Sequence, residues 1–271
     1  MVVRNYDGIK IKSNSVERMS DGLTIEEALQ ISINKKPFTV TMRAPGEDLS
    51  LIRGLLHTEG ILKNRAYLPD VSFIEPEKEG IVRIAELTIP ENELGDGYLN
   101  SRSLLSVSSC GICGRTELND TTCSGHQLSI DFEMTSNQIN EMFLEMKKHQ
   151  KAFEKSGGTH AAATFSLNGQ MLSVSEDIGR HNAVDKVIGK LLLNSNWKEA
   201  KCLIVSGRIS YEIIVKCFKA KIPVLAAVSA PSSLAVDFAK ELGITLLAFC
   251  REERMTCYSH PQRIKNINSS L

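Results

Sequence analysis

Nowhere in this 271-residue sequence does an apolar run approach the ~20 positions that a bilayer-spanning helix needs. The opening residues, Met1-Val2-Val3-Arg4-Asn5-Tyr6-Asp7, lack the apolar core of a secretory signal. An excess of either charge is missing too. Lys plus Arg and Asp plus Glu each number 32, so no overall field draws the chain to nucleic acid or to a membrane surface. These absences set the expectation of a cytoplasmic protein with neither kind of partner. Internal repeats and low-complexity segments are absent as well, which excludes a solenoid or a repeat array.

Cysteine is not scarce: there are seven, an odd count. A chain of this length can build one large or two modest cores and needs no disulfide staples. Cys202, Cys217 and Cys250 sit in apolar runs and read as packed, inert thiols, because free cysteine behaves as a small hydrophobe. Cys110, Cys113 and Cys123 have polar, glycine-rich neighbours and carry the functional question.

The hydrophobic pattern divides the chain. Residues 1 to about 23 read as a first strand and a loop. Ile31–Asn34 and Phe38–Met42 alternate around Lys35-Lys36 as a hairpin. Asp48 opens a helix carrying Leu49, Ile52, Leu55, Leu56 and Ile61, and two strands follow at 71–74 and 81–89. The expectation is a small α+β domain over residues 1–105. Periodicity then fades, and residues 106–134 read as a linker holding the Cys-x-x-Cys of Cys110-Gly111-Ile112-Cys113.

Residues 135–271 read as an α/β domain. A helix starts at Thr135 or Ser136 and runs to Gly157-Gly158, and Asn168-Gly169 joins two hairpin strands. Helices (181–193, 211–219, 233–242) then alternate with unalternating apolar strands (202–205, 224–228, 244–249). Strands buried on both faces, joined through helices, make a mixed, largely parallel sheet. Asp185 and Lys186 read as an exposed charged face of their helix.

Ligands of such sheets lie beyond the carboxyl ends of the strands, where helix N-termini offer free N–H groups. Three junctions there are unusually polar: Glu176 to Asn182 with Arg180 and His181, Ser206-Gly207-Arg208-Ile209-Ser210, and Ser229-Ala230-Pro231-Ser232-Ser233. Arg251 and Arg254 follow the last strand, and His160 enters an earlier one. Guanidinium forks, hydroxyls and backbone N–H groups are what hold phosphates, so this rim reads as an anion site of nucleotide type. The blander reading makes the serines helix caps and the arginines solvated surface.

The thiol loop allows three chemistries. Cys110, Cys113, Cys123 and His126 have the spacing of a structural zinc knuckle. His57-x-Glu59 ahead of Cys110 and Cys113 nominally echoes a zinc deaminase, although Ser109 stands where that signature has proline. A mobile pair, each thiol followed by a glycine (Gly111, Gly114) and Arg115 close by, also suits a thiolate that accepts and passes on sulfur, or a dithiol oxidoreductase.

Longer segments make the sequence similar to a known family. Ala44-Pro45-Gly46-Glu47-Asp48, Glu59-Gly60-Ile61, Ser109 to Gly114, Gly158-Thr159-His160, Asp177 to Lys186, Ser206 to Ser210 and Phe249-Cys250-Arg251-Glu252-Glu253-Arg254 resemble the FdhD family of sulfur carriers required for active formate dehydrogenase. That resemblance implies a C-terminal domain of cytidine-deaminase-like, three-layer fold without the deaminase zinc, and a homodimer. It implies a sulfurtransferase in which a cysteine desulfurase loads Cys110 as persulfide, with Cys113 assisting. The implied client is molybdenum bis(molybdopterin guanine dinucleotide), for which a guanine nucleotide can substitute, delivered to the formate dehydrogenase catalytic subunit. Phe249 to Arg254 match the family's cofactor-binding segment, next to the rim read from the junctions.

Overall fold

The computed structural model describes residues 2–74, 80–100, 127–128, 131–252 and 254–265. Cys110, Cys113, Cys123, His126 and Glu253 therefore lie outside the described residues. Strands β1 (Val3–Lys12) and β2 (Ser15–Thr24) form an antiparallel ribbon, where a single strand and a loop were expected. Ile9, Ile11 and Val16 are exposed on it, so no buried face imposes the inside–outside alternation that announces a strand.

A four-stranded sheet follows, ordered β4-β3-β6-β5, from β3 (Glu27–Ile33), β4 (Lys36–Arg43), β5 (Asp70–Phe73) and β6 (Ile84–Thr88). The β3–β4 turn places Asn34 and Lys35 at φ 51° and 64°, the left-handed pair that matches the twist of a tight hairpin. Leu29, Ile31 and Ile33 of β3 all point inward. Helix α1 (Asp48–Thr58) covers them with Leu51, Ile52 and Leu56. It stops short of Ile61 because Gly60 turns to φ 71°, and Leu49, expected on its apolar face, is exposed. A short helix, α2 (Asp96–Asn100), ends this part.

The second part is a six-stranded sheet ordered β13-β12-β11-β10-β8-β9. Its strands are β8 (His160–Phe165), β9 (Met171–Asp177), β10 (Cys202–Val205), β11 (Val224–Ala227), β12 (Thr245–Arg251) and β13 (Arg254–Ser259). The central β10, β11 and β12 are parallel, and the flanking pairs antiparallel. A small bridge of β7 (Met134–Thr135) to β14 (Ile264–Lys265) ties the ends of this part together.

One face of the large sheet carries α3 (Ser136–Lys148), opened by a Thr135–Gln138 capping box and buried through Ile139, Met142 and Met146. The helix expected to run on to Gly157 instead breaks at His149–Gln150, and α4 (Lys151–Ser156) resumes it. The other face carries α5 (Arg180–Leu193), α6 (Tyr211–Lys219) and α7 (Ser233–Leu242). The architecture is thus α/β throughout, with a three-layer second part and a smaller α+β first part. Among the described residues no helix is long and apolar enough to cross a membrane.

The two parts meet where α1 crosses α5. A Cβ added to Gly54 would fall 1.8 Å from the Asp185 carbonyl oxygen, and one on Gly189 1.8 Å from that of Ser50. Glycine at both positions lets backbone touch backbone. Helix α5 is consequently covered by the sheet on one side and α1 on the other, so Asp185 and Lys186 are 2% and 1% exposed, not the solvated face expected. Lys186 Nζ lies 2.7 Å from Asp177 Oδ2 and donates to the Ala44 carbonyl. Lys216 of α6 reaches Asp185, Glu59 and Thr58, each at 2.9 Å. Charges desolvated this far require such partners, and breaking one buried pair costs roughly 3–5 kcal/mol.

Gly54→Ala should therefore lower unfolding stability by about 3 kcal/mol in urea titration. Gly8→Ala, where an added Cβ meets nothing within 4 Å, should change little. Equal stability of the two variants would contradict the backbone contact.

Candidate functional site

The carboxyl ends of β10, β11 and β12 share one edge of the sheet with the start of β8 and the end of β9, since β8 runs antiparallel to both its neighbours. That edge gathers Arg180, His181, Ser206, Gly207, Arg208 and Ser210 from separate junctions. Gly207 is the pivot. An added Cβ there would lie 3.2 Å from His160 Nδ1 and 3.4 Å from Arg180 Cβ, so the bare glycine lets imidazole and arginine close over the strand end. Ser206 locks the same place, its Oγ accepting from the Ala161 N–H at 2.9 Å.

His181 opens α5 and meets the first turn of α6. Its Nε2 is 2.8 Å from Glu212 Oε2 and 3.3 Å from Ser210 Oγ, and Ser210 donates to the same carboxylate oxygen at 3.1 Å. Burial pushes the Glu212 carboxyl up, but the bond and charge of His181, the Ser210 hydroxyl and Arg180 outweigh it and leave it below the usual range. His160 goes the other way for an imidazole. Burial, then Arg180, Arg208 and His181, hold it below the usual histidine value, with Asp177 opposing weakly. Two guanidinium groups thus flank a neutral imidazole.

The β12–β13 turn carries the remaining arginines. A register shift between Ala248 and Arg251 marks a bulge, a common device for re-aiming side chains at sites. Phe249 sits at φ 54° and is 41% exposed, whereas Cys250 turns inward to 4%. Phe249, Arg251 and Arg254 line a cavity of about 430 Å3 with Met255 and Thr256. Arg251 and Glu252 also border a groove of about 1350 Å3 that runs along α3 and α4 and reaches Ser206, Val228 and Cys250. The Cys250 thiol, pushed up to about 12 by burial, packs in the core and has no nucleophilic character.

Two serines do backbone work here. Ser232 caps α7 by accepting from the Ala235 N–H at 3.2 Å, and the Ser229 carbonyl accepts from the Phe249 N–H. Asp177, part of the first polar junction read from the sequence, and Glu212, not singled out there, complete the edge. Glu212 was findable as a carboxylate in the first turn after Ser210, and Asp177 was named in its junction, but its full burial against Lys186 was not foreseen. His57 donates to the Lys219 carbonyl and Glu59 binds Lys216, so neither is left as a metal-site residue. Among the described residues no three His, Cys, Asp or Glu side chains converge to hold a metal.

Comparison with known proteins bears on the family and the fold. The model of the FdhD/NarQ family matches residues 24–265. A sulfur carrier protein FdhD of Picrophilus torridus is 40% identical over 257 residues, covering 91% of this chain and 93% of the relative. One from Sulfolobus acidocaldarius is 36% identical, covering 97% and 99%. The crystal structure described as a putative formate dehydrogenase accessory protein from Desulfotalea psychrophila superposes with a TM-score of 0.77 at 21% identity, over 97% of this chain and 100% of that one. At that identity the likeness speaks for the fold.

Two titrations test the edge. The folded His160 binds its proton less readily than the unfolded chain does, so its NMR midpoint should lie below the usual histidine value and rise in Arg208→Gln. An unmoved midpoint would remove Arg208 from the cluster. Glu212, held low, contributes stability above the unfolded carboxylate value and loses it as pH falls through the folded one. Glu212→Gln should cost about 2 kcal/mol at neutral pH, and the deficit should close below about pH 4.

Proposed function

This chain belongs to the FdhD/NarQ family, and on that premise we propose that it is a sulfur carrier serving a formate dehydrogenase. The sulfur chemistry falls to Cys110 and Cys113. A cysteine desulfurase supplies a persulfide, and the Cys110 thiolate attacks its terminal sulfur. The donor S–S bond breaks, the desulfurase thiolate leaves, and Cys110 holds the extra sulfur. Attack by Cys113 on the Cys110 sulfur then expels the carried atom at the oxidation level of sulfide. The two cysteines end as a disulfide, which a dithiol reductant resets.

The substrate receiving that sulfur is molybdenum bis(molybdopterin guanine dinucleotide), on its way to the catalytic subunit of the dehydrogenase. The observation that carries this part is the anion-attracting edge. Arg180 and Arg208 press on a neutral His160, while Arg251 and Arg254 line a cavity at the neighbouring strand end. Phosphates of a nucleotide fit such guanidinium groups, and the groove along α3 and α4 has room for the rest of a large client. The protein works in the cytoplasm as a homodimer.

Incubation with a cysteine desulfurase and labelled cysteine, followed by intact-mass measurement, tests the carrier step. A gain of one sulfur, removable by dithiothreitol and abolished in Cys110→Ala, is the expected result. Label retained in that variant would move the role to another thiol. Zinc bound in place of sulfur, and lost in Cys123→Ala, would replace the carrier reading with a structural knuckle.

A further inference from the structure

Among the described residues, five cationic side chains are buried to 5% exposure or less: Arg43, Arg53, Lys186, Lys216 and Arg263. Four are compensated. Arg43 binds Asp48, Lys186 binds Asp177, and Lys216 binds Asp185 and Glu59. Arg263 gives its nitrogens to the carbonyls of Gly243 and Leu128. Arg53 is the exception. Among the described residues it makes no ion pair, its Nε and Nη1 are buried with no hydrogen-bond partner, and only Nη2 donates, to the Arg65 carbonyl.

Its neighbours add positive charge. The Arg65 guanidinium rests 4.2 Å from the centroid of the Trp197 ring and donates to the Lys219 carbonyl at 2.8 Å. Lys219 Nζ comes within 3.4 Å of where a Gly60 Cβ would stand. Burial and Arg65 pull Arg53 down to about 10. Burial, then Arg65 and the nearby cations, push His57 down to about 4. His57 is therefore neutral and directs its Nε2–H at the Lys219 carbonyl. Leaving a buried guanidinium without a counter-charge is among the costly arrangements in a folded protein.

We propose that Arg53, Arg65 and Lys219 form a binding site for a small tetrahedral oxyanion of the phosphate class, distinct from the strand-end rim. Helix α6 separates the two. The rim faces its first turn, at Ser210 and Glu212, and this cluster its last, at Lys219. Nine residues at the helical rise put the ends about 13 Å apart. Arg65 is the movable member. Exchanging its Trp197 and Lys219 contacts for the anion uncovers Arg53 Nε and Nη1, which gain the partner they lack.

The test is thermal unfolding against inorganic phosphate at constant ionic strength, in protein carrying Arg208→Gln and Arg251→Gln so that the rim does not contribute. A saturable rise in the midpoint, beyond that given by chloride, is expected. Adding Arg53→Met should weaken phosphate at least tenfold while leaving the phosphate-free protein as stable or more so, because an unpaired buried charge is gone. Arg65→Gln, at a half-buried position, should weaken phosphate similarly and serves if the methionine variant fails to fold. Repeating the titration with adenosine monophosphate separates free phosphate from a phosphate ester, and either ligand supports the site if its effect needs Arg53 or Arg65. No phosphate-specific rise, or a rise that survives both substitutions, would overturn the proposal.

Discussion

Two stretches of backbone, one from each part of the chain, meet with no room for a side chain between them. Gly54 of α1 lies on the Asp185 carbonyl and Gly189 of α5 lies on that of Ser50, and much else follows from this crossing. Because α5 is pressed between the large sheet and α1, the polar residues along its middle, Asp185 and Lys186, cannot face water. They bridge the two parts instead, through Lys186 to Asp177 and the Ala44 carbonyl, and through Asp185 to Thr58 and Lys216. The start of α5, where Arg180 and His181 stand, is fixed by the same contacts. The strand-end edge that holds Arg180 and His181 is thus anchored from behind by the first part of the chain.

This arrangement explains which parts of the fold were legible in the sequence. Strands β10, β11 and β12 were visible as apolar runs because both their faces are covered, and α7 because it has one wet side, whereas α6 was found although it is buried over most of its length. Helix α5 was found, but its charges were misread. Amphipathic spacing assumes that a polar stripe meets solvent, and a helix buried on two sides breaks that assumption. The β1–β2 ribbon was missed for the opposite reason, since neither face is buried and no alternation results. Strand β13 was missed because it begins beside a bulge and an arginine-rich turn.

The candidate site was legible at its junctions and less so in its chemistry. Polar residues after successive strands located the edge, since strand order alone brings Arg180, Ser206 and Arg208 together. The cap role of Ser232 was one of the two readings of the serines, but sequence could not tell that Ser206 holds the Ala161 N–H or that His160 lies against Gly207 and Arg180. The Ser206 and His160 contacts depend on distances of about 3 Å across chain separations of some tens of residues. Cys250 shows the limit of transferring a segment whole. It lies within a matching motif, yet the bulge turns it inward while Phe249 turns out.

That inward turn belongs to a wider pattern. Cys202, Cys217 and Cys250 are buried and Cys257 is half-buried, and burial raises all four thiols above their usual value. A thiol that stays protonated neither attacks disulfides nor climbs the oxidation ladder readily. The framework is therefore made of sulfur that is chemically silent at neutral pH. Reagents applied to the native protein meet little competition from these positions, and alkylation kinetics on the unmodified chain can report other thiols without first stripping the core of its cysteines.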